Sequence, residues 1–356
     1  GNILDEVMVS VMLAPKSYTT EDTVEINCHG GVLMMQRILE RVLMTGVRMA
    51  EPGEFTKRAF LNGRMDLSEA EAVMDVIHAQ NELALKSSVS QLKGAVSKKI
   101  KEMRSEVIYE IAFIESALDD PEHISLDGYP ERLSEKIEEL LKETDKLISS
   151  SKDGKFLKEG IKTVILGKPN AGKSSFLNVL SGEEKAIVTD IAGTTRDVLE
   201  EQIRLDGIAL NVIDTAGIRE TEDTVEKIGV EKARKYAEEA DLLLYMVDSS
   251  VPFDENDEEI RTILKDRKAI LLMNKSDLSQ AITEEDIRNF LKDIEIPIVK
   301  ISAKEASGIE EFKKLIKDMF FEGKISFENE IYITNLRHKE ALQQAMEDYI
   351  NANNTC

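Results

Sequence analysis

Residues 167–174 read GKPNAGKS, a match to G-x-x-x-x-G-K-[ST]. The chemistry of that spacing is phosphate binding. Gly167 and Gly172 free the backbone to wrap an anion, and successive N–H groups through Asn170, Ala171 and Ser175 point inward at the start of a helix. Lys173 reaches the β- and γ-phosphates as the catalytic cation, and the Ser174 hydroxyl is a Mg²⁺ ligand. Four further elements follow in order. Residues 189–195 (Thr189, Asp190, Ile191, Ala192, Gly193, Thr194, Thr195) form a Gly-Thr-Thr loop in which Thr195 can complete the Mg²⁺ shell. Asp214-Thr215-Ala216-Gly217 ends a strand, as a metal-side Asp and a γ-phosphate-sensing Gly require. Asn274-Lys275-Ser276-Asp277 ends another, where the Asp277 carboxylate matches the two donors on the guanine edge that adenine lacks. Ser302-Ala303-Lys304 closes a base pocket. Together these predict GTP and GDP binding with Mg²⁺ and hydrolysis of GTP.

Position 218, after Asp-Thr-Ala-Gly, is Ile. Ras-like enzymes place there a Gln that orients the attacking water. An isoleucine cannot, so another group must. Glu220, Glu222, Asp223 and Glu226 are the acidic residues of that loop. Their competing reading is a solvated acidic face.

Five chain segments at this spacing need a scaffold of alternating strand and helix. Residues 161–166, 208–213, 242–247, 269–273 and 297–301 read as short apolar strands, with 198–205 joined to 208–213 through Asp206-Gly207. The expected fold is multidomain, α+β and α/β: a P-loop GTPase domain with a doubly wound sheet at 159–327, inserted into a helical domain at 67–158 and 328–356, and preceded by a small α+β domain at 1–66. In the first domain, Val7, Val9, Val11 and Leu13 alternate as in a strand, 24–28 is a second, and 32–45 is helical. EPGEF and NGR read as turns. Apolar residues from Val73 to Leu118 predict one long helix, capped by Ser68 with Glu71. A second helix is expected over 133–149, then a polar linker at 149–155, and a last helix capped by Asn335.

The net charge of −22 excludes a general nucleic-acid clamp, so contact with RNA would need a local patch or a partner. Two cysteines, Cys28 and Cys356, make no disulfide framework and fit a reducing cytoplasm. No apolar run reaches membrane-spanning length. The acidic start with Asp5 and Glu6 is unlike a signal peptide, and the chain is expected to begin inside a domain and to break off past a helix. Cys28 and His29 are too few for a zinc site, and a structural Cys at a strand end is the favoured reading.

The stretches SYTTEDTVEINCHGG, EPGEFTKRAFLNGRMDLSEAEA, GKPNAGKSSFLN, IVTDIAGTTRDVLE, IDTAGIRE and VEKIGVEKA together resemble the MnmE (TrmE) family of tRNA modification GTPases over nearly the whole chain. The resemblance implies a homodimer formed through the N-terminal domain. It also implies an FAD-dependent, MnmG/GidA-like partner, which alone carries the FAD, and action on the wobble uridine of tRNA. A 5-formyl- or methylene-tetrahydrofolate would donate the one-carbon unit, and GTP hydrolysis would be activated by K⁺ and by dimerisation of the GTPase domains. Residue by residue, it implies that Asn170, Thr189, Ile191 and Thr194 hold K⁺, that Glu226 is the catalytic Glu that orients water, that Arg219 lies near a dimer interface, and that Glu25 and Arg64 hold the folate. Glu25 and Arg64 read equally well as a strand-edge Glu and a turn Arg. Where the family ends in Cys-x-x-Lys, Cys356 has no Lys after it, and the start of the family's N-terminal domain is also missing. The alternative function is a GTP-controlled ribosome or RNA assembly factor, for which the GTPase core alone would suffice.

Overall fold

The computed structural model describes residues 3–183, 200–214, 234–321 and 331–355. The chain divides into two compact units, one formed by residues 1–79 and 85–127 and the other by 80–84 and 128–356.

In the second unit, β3 (Ile161–Leu166), β4 (Glu200–Leu205), β5 (Ile208–Asp214), β6 (Leu242–Asp248), β7 (Ala269–Asn274) and β8 (Ile298–Lys300) form a six-stranded sheet. Its order is β4-β5-β3-β6-β7-β8, and every pair is parallel except β4 with β5. β6 and β7 are buried almost end to end, the continuous apolar pattern of strands covered on both faces. Two apolar layers cover the sheet. One centres on Phe176, Leu180, Phe312 and Ile316, the other on Tyr245, Leu264 and Ile287. Asp206 and Gly207 both take positive φ, the conformation of a two-residue hairpin turn.

Helix α6 (Tyr129–Glu159) leads into β3. The polar stretch expected to be a linker at 149–155 is instead helix. Ser150 and Ser151 satisfy their hydroxyls on the carbonyls of Leu147 and Ile148, and the apolar stripe continues through the buried Leu157. The last helix, α11 (Leu336–Asn353), lies antiparallel to α6. The Ser134 hydroxyl donates to Asn353 Oδ1 (2.8 Å), and the Ile333 N–H donates to Ser150 Oγ (3.2 Å). Asn335 caps α11 through the Arg337 N–H, as its sequence position implied. Gly154 has no side chain because the backbone at Ile333 crosses its Cα, and a Cβ there would collide with the Ile333 carbonyl. Gly154→Ala should destabilise the second unit by about 1–3 kcal/mol, measured as a lower urea midpoint at unchanged slope.

The first unit carries a two-stranded antiparallel ribbon, β1 (Met8–Met12) with β2 (Thr23–Asn27), and helices α1 (Val32–Leu43) and α2 (Glu54–Leu61). The turn signals of EPGEF hid α2: Gly53 adopts a left-handed φ and starts the helix rather than ending one. The single long helix expected from residue 68 to 118 is three: α3 (Leu67–Ile77), α4 (Glu82–Leu92) and α5 (Ala95–Asp119). The first break falls in the one gap of the apolar spacing, where Asn81 caps α4 by accepting from the Ala84 N–H (2.7 Å). At the second, Gly94 takes φ +80°, which ends α4 while the 3–4 spacing runs on unbroken. The capping box at the start of α3 is also shifted: Asp66 and Glu69 form it, while Ser68 donates to Asp66.

A nucleotide-type site at the carboxyl end of the sheet

The loop between β3 and α7 (Lys173–Glu183) carries the GKPNAGKS residues. Gly167 and Gly172 take positive φ, and so does Asn170 (61°), a region that asparagine tolerates better than most residues. A Cβ on Gly167 would strike the Met246 carbonyl of β6, and one on Gly172 the Asn274 amide at the end of β7. The loop is therefore pressed against two strand ends, and only glycine fits at either contact. The buried Lys173 ammonium donates to the carbonyls of Gly167 (2.6 Å) and Lys168 (2.9 Å), folded across its own loop. Ser174 and Ser175 are exposed on the first turn of α7.

Asn274 joins this loop to the Ser302-Ala303-Lys304 segment. Its side chain is 2% exposed; its amide donates to the Ala171 carbonyl (2.8 Å), and its carbonyl accepts from the Ala303 N–H (3.1 Å). One side chain thus ties Ala171 to Ala303, residues far apart in sequence. Asp277 stands on the next turn. Its Oδ1 accepts from the Ser302 hydroxyl (2.7 Å), and this bond holds its carboxyl below the usual range, helped by Lys304 and Lys275. Lys275, at positive φ, donates to Asp248 Oδ2 (2.5 Å) and so anchors the turn to the end of β6. Burial raises the Asp248 carboxyl, but Lys275 and Ser250 outweigh it. Lys304 is exposed beside the turn.

The structure thus gathers Gly167, Asn170, Ala171, Gly172, Lys173, Ser174, Asn274, Lys275, Ser276, Asp277, Ser302, Ala303 and Lys304 at the carboxyl ends of β3, β6, β7 and β8, where open α/β sheets bind ligands. Asp214 ends β5, the neighbour of β3. Thr189 to Thr195, Thr215 to Glu220, Glu222, Asp223 and Glu226 lie outside the described residues, as does Cys356.

In the first unit, the Arg64 guanidinium donates to the Ser17 carbonyl and lies 5.3 Å from the Tyr18 ring centroid. Arg64 borders a cleft with Met12, Lys16, Tyr18 and Thr20, a lining that does not include Glu25. Glu25 is exposed on β2, opposite Ser10. Cys28 is half-buried, and His29 pairs with Asp5 (2.8 Å). No cluster of three or more His, Cys, Asp or Glu suited to a metal occurs among the described residues.

The profile of the MnmE helical domain matches residues 67–356, and that of the GTP-binding protein TrmE N-terminus matches residues 1–64. The chain belongs to the MnmE family. The tRNA modification GTPase MnmE of Lachnoclostridium phytofermentans is 60% identical over 96% of this chain and 74% of its own length. MnmE of Clostridioides difficile is 50% identical over 99% of this chain and 76% of its own. Aquifex aeolicus Era bound to GDP·AlF₄⁻ is 31% identical over 51% of this chain and 64% of that one, at a TM-score of 0.35 that adds no weight to the assignment. As a member of the MnmE family the chain is a GTPase. No helix among the described residues is long and apolar enough to cross a membrane.

Reading the sequence alone missed two features of this MnmE-type site. Asn274 was one of four motif residues, with nothing to mark it as the tie. Lys168 fills an x position of G-x-x-x-x-G-K-[ST], which the pattern leaves without a role, and only its contact with Asp257 gives it one.

Proposed function

We propose that this chain is the GTP-hydrolysing component of tRNA wobble-uridine modification in the cytoplasm, and that it works in a complex with an FAD-dependent partner. The observation that carries the nucleotide part is Asn274, which fastens the phosphate loop to the loop flanking Asp277, so that one guanine nucleotide can span both. The 60% identity to a tRNA modification GTPase supports the tRNA part.

In this reading, Gly172, Lys173 and the first turn of α7 take the phosphates, and Asp277 accepts from the guanine N1–H and amino group. Ser302 orients that carboxylate by donating to one of its oxygens. Ala303 offers its side of the pocket, Ser276 and Lys304 border the base, and Thr215, Ala216, Gly217 and Asp190 to Gly193 complete the phosphate side. Mg²⁺ fits the residues present: Ser174 offers an exposed hydroxyl oxygen at the helix N-terminus, and Thr195 would be its companion. When bound, the ion supplies charge neutralisation at the β- and γ-phosphates. Asn170, exposed in the loop at positive φ, is a hard-oxygen donor suited to K⁺, with Thr189, Ile191 and Thr194. Glu226 orients the attacking water in place of the Gln that position 218 lacks.

Homodimerisation through the first unit is supported by its exposed apolar surface. Met8, Val9, Val11 and Val24 are each more than half exposed on a ribbon of only two strands, which is marginal alone. Arg64 in its cleft supports the tetrahydrofolate reading, and Glu25 would act from the adjacent ribbon. In the same reading the domains are 1–66, 67–158, 159–327 and 328–356, with the helical domain interrupted by the GTPase.

Turnover of GTP by the intact chain should rise in KCl over NaCl, and Glu226→Ala should lose about 10²–10³-fold in kcat while GDP affinity holds. Equal rates in the two salts would remove the K⁺ mechanism. A normal rate in the variant would assign the water to another acid.

A further inference from the structure

We propose that Lys168 and Asp257 are positioning residues for nucleotide binding, forming a partly buried ion pair that fixes the phosphate loop from the helix after β6; the inference rests on the GTPase reading above. Helix α8 (Glu255–Leu264) begins beside this loop. The Lys168 ammonium donates to Asp257 Oδ2 (2.7 Å) and Asp254 Oδ2 (3.0 Å). The Asp257 side chain is 2% exposed and that of Lys168 is 19% exposed. The other Asp257 oxygen accepts from the buried Tyr245 hydroxyl of β6 (2.7 Å), and Oδ2 also accepts from the Asp254 N–H (2.9 Å). Each partner of this carboxylate thus comes from a different place: the loop, the strand beneath it and the helix cap.

An ion pair with one partner buried is a poor source of net stability, because withdrawing the carboxylate from water offsets much of the attraction. What it supplies is geometry: with a carboxylate held from three sides, the ammonium that answers it has one place to be. Burial disfavours the Lys168 charge, yet Asp257 and Asp254 keep it protonated. Its position matters because the carbonyl of the same residue accepts from Lys173 Nζ, and its neighbour Gly167 rests on Met246. The first half of the loop is therefore anchored by β6 and α8, as Asn274 anchors the second half. The two acids would otherwise repel a bound phosphate, and Lys168 offsets one of their two charges where they stand. A loop set in advance spends less of its binding energy on ordering itself.

Binding of GDP and of GMP to the full chain, by calorimetric titration, tests this. Both ligands read the base pocket, while the β-phosphate of GDP reads the loop. Asp257→Asn keeps the shape and still accepts from Tyr245, and Lys168→Met removes the cation from a side chain that is partly solvent-facing. In each, GDP should bind about tenfold more weakly with GMP affinity unchanged. Lys168→Arg should restore the wild-type ratio. An unaltered GDP-to-GMP ratio in Lys168→Met would overturn the proposal, as would equal losses for both ligands, the mark of a merely structural pair. If wild-type protein bound neither nucleotide, the guanine-nucleotide reading itself would fall.

Discussion

Asp277→Asn should lower GTP affinity by about 10²–10³-fold and raise affinity for the xanthine nucleotide. The carboxylate accepts two hydrogen bonds from the guanine edge, and bonds to a charged group contribute about 1.5–3 kcal/mol each. Asparagine turns one acceptor into a donor, which faces a guanine donor but meets an acceptor on xanthine. The Ser302 bond to Oδ1 keeps the side chain in place in both proteins, so the change isolates recognition from folding. Competition of GTP and XTP for the same labelled nucleotide measures it, and undiminished GTP preference would move the base pocket elsewhere.

Lys173→Met should reduce GTP turnover by about 10³-fold. Methionine keeps most of the length of lysine without its charge. Lys173 is the buried cation whose backbone begins α7, and its ammonium already donates to two carbonyls of the loop it would present to phosphate. Charge that develops on the β- and γ-phosphate oxygens in the transition state loses its nearest fixed counter-charge, so kcat should fall by more than the affinity for GDP. Single-turnover rates at saturating nucleotide separate the two. Equal falls in both would make Lys173 a binding residue alone.

How far the sequence could be read depended on the range of the interaction. β6 and β7 were legible because their burial on both faces writes an unbroken apolar run. Asp206-Gly207 and Asn335 were legible because turn and cap chemistry is local. The break at Gly94 was not, since its apolar spacing continues across the glycine and only a left-handed φ separates the helices. Nor was α6 beyond residue 149, where serines that look like linker satisfy their hydroxyls inside the helix. The site residues were legible by type and order, but their mutual grip was not. Asn274 reaching Ala171 and Ala303, and Asp257 reaching Lys168, are contacts between distant parts of the chain that no local pattern records.

The antiparallel seam of α6 and α11 has an architectural consequence. The chain leaves α6 into β3 and comes back at Ile333 against Ser150 and Gly154 of that same helix. Departure and return share one doorway, so the α/β fold hangs from its host as a self-closing cassette. A block joined in that way leans on one seam for both of its connections, so loosening the contact of Ile333 with Ser150 and Gly154 would free both at once.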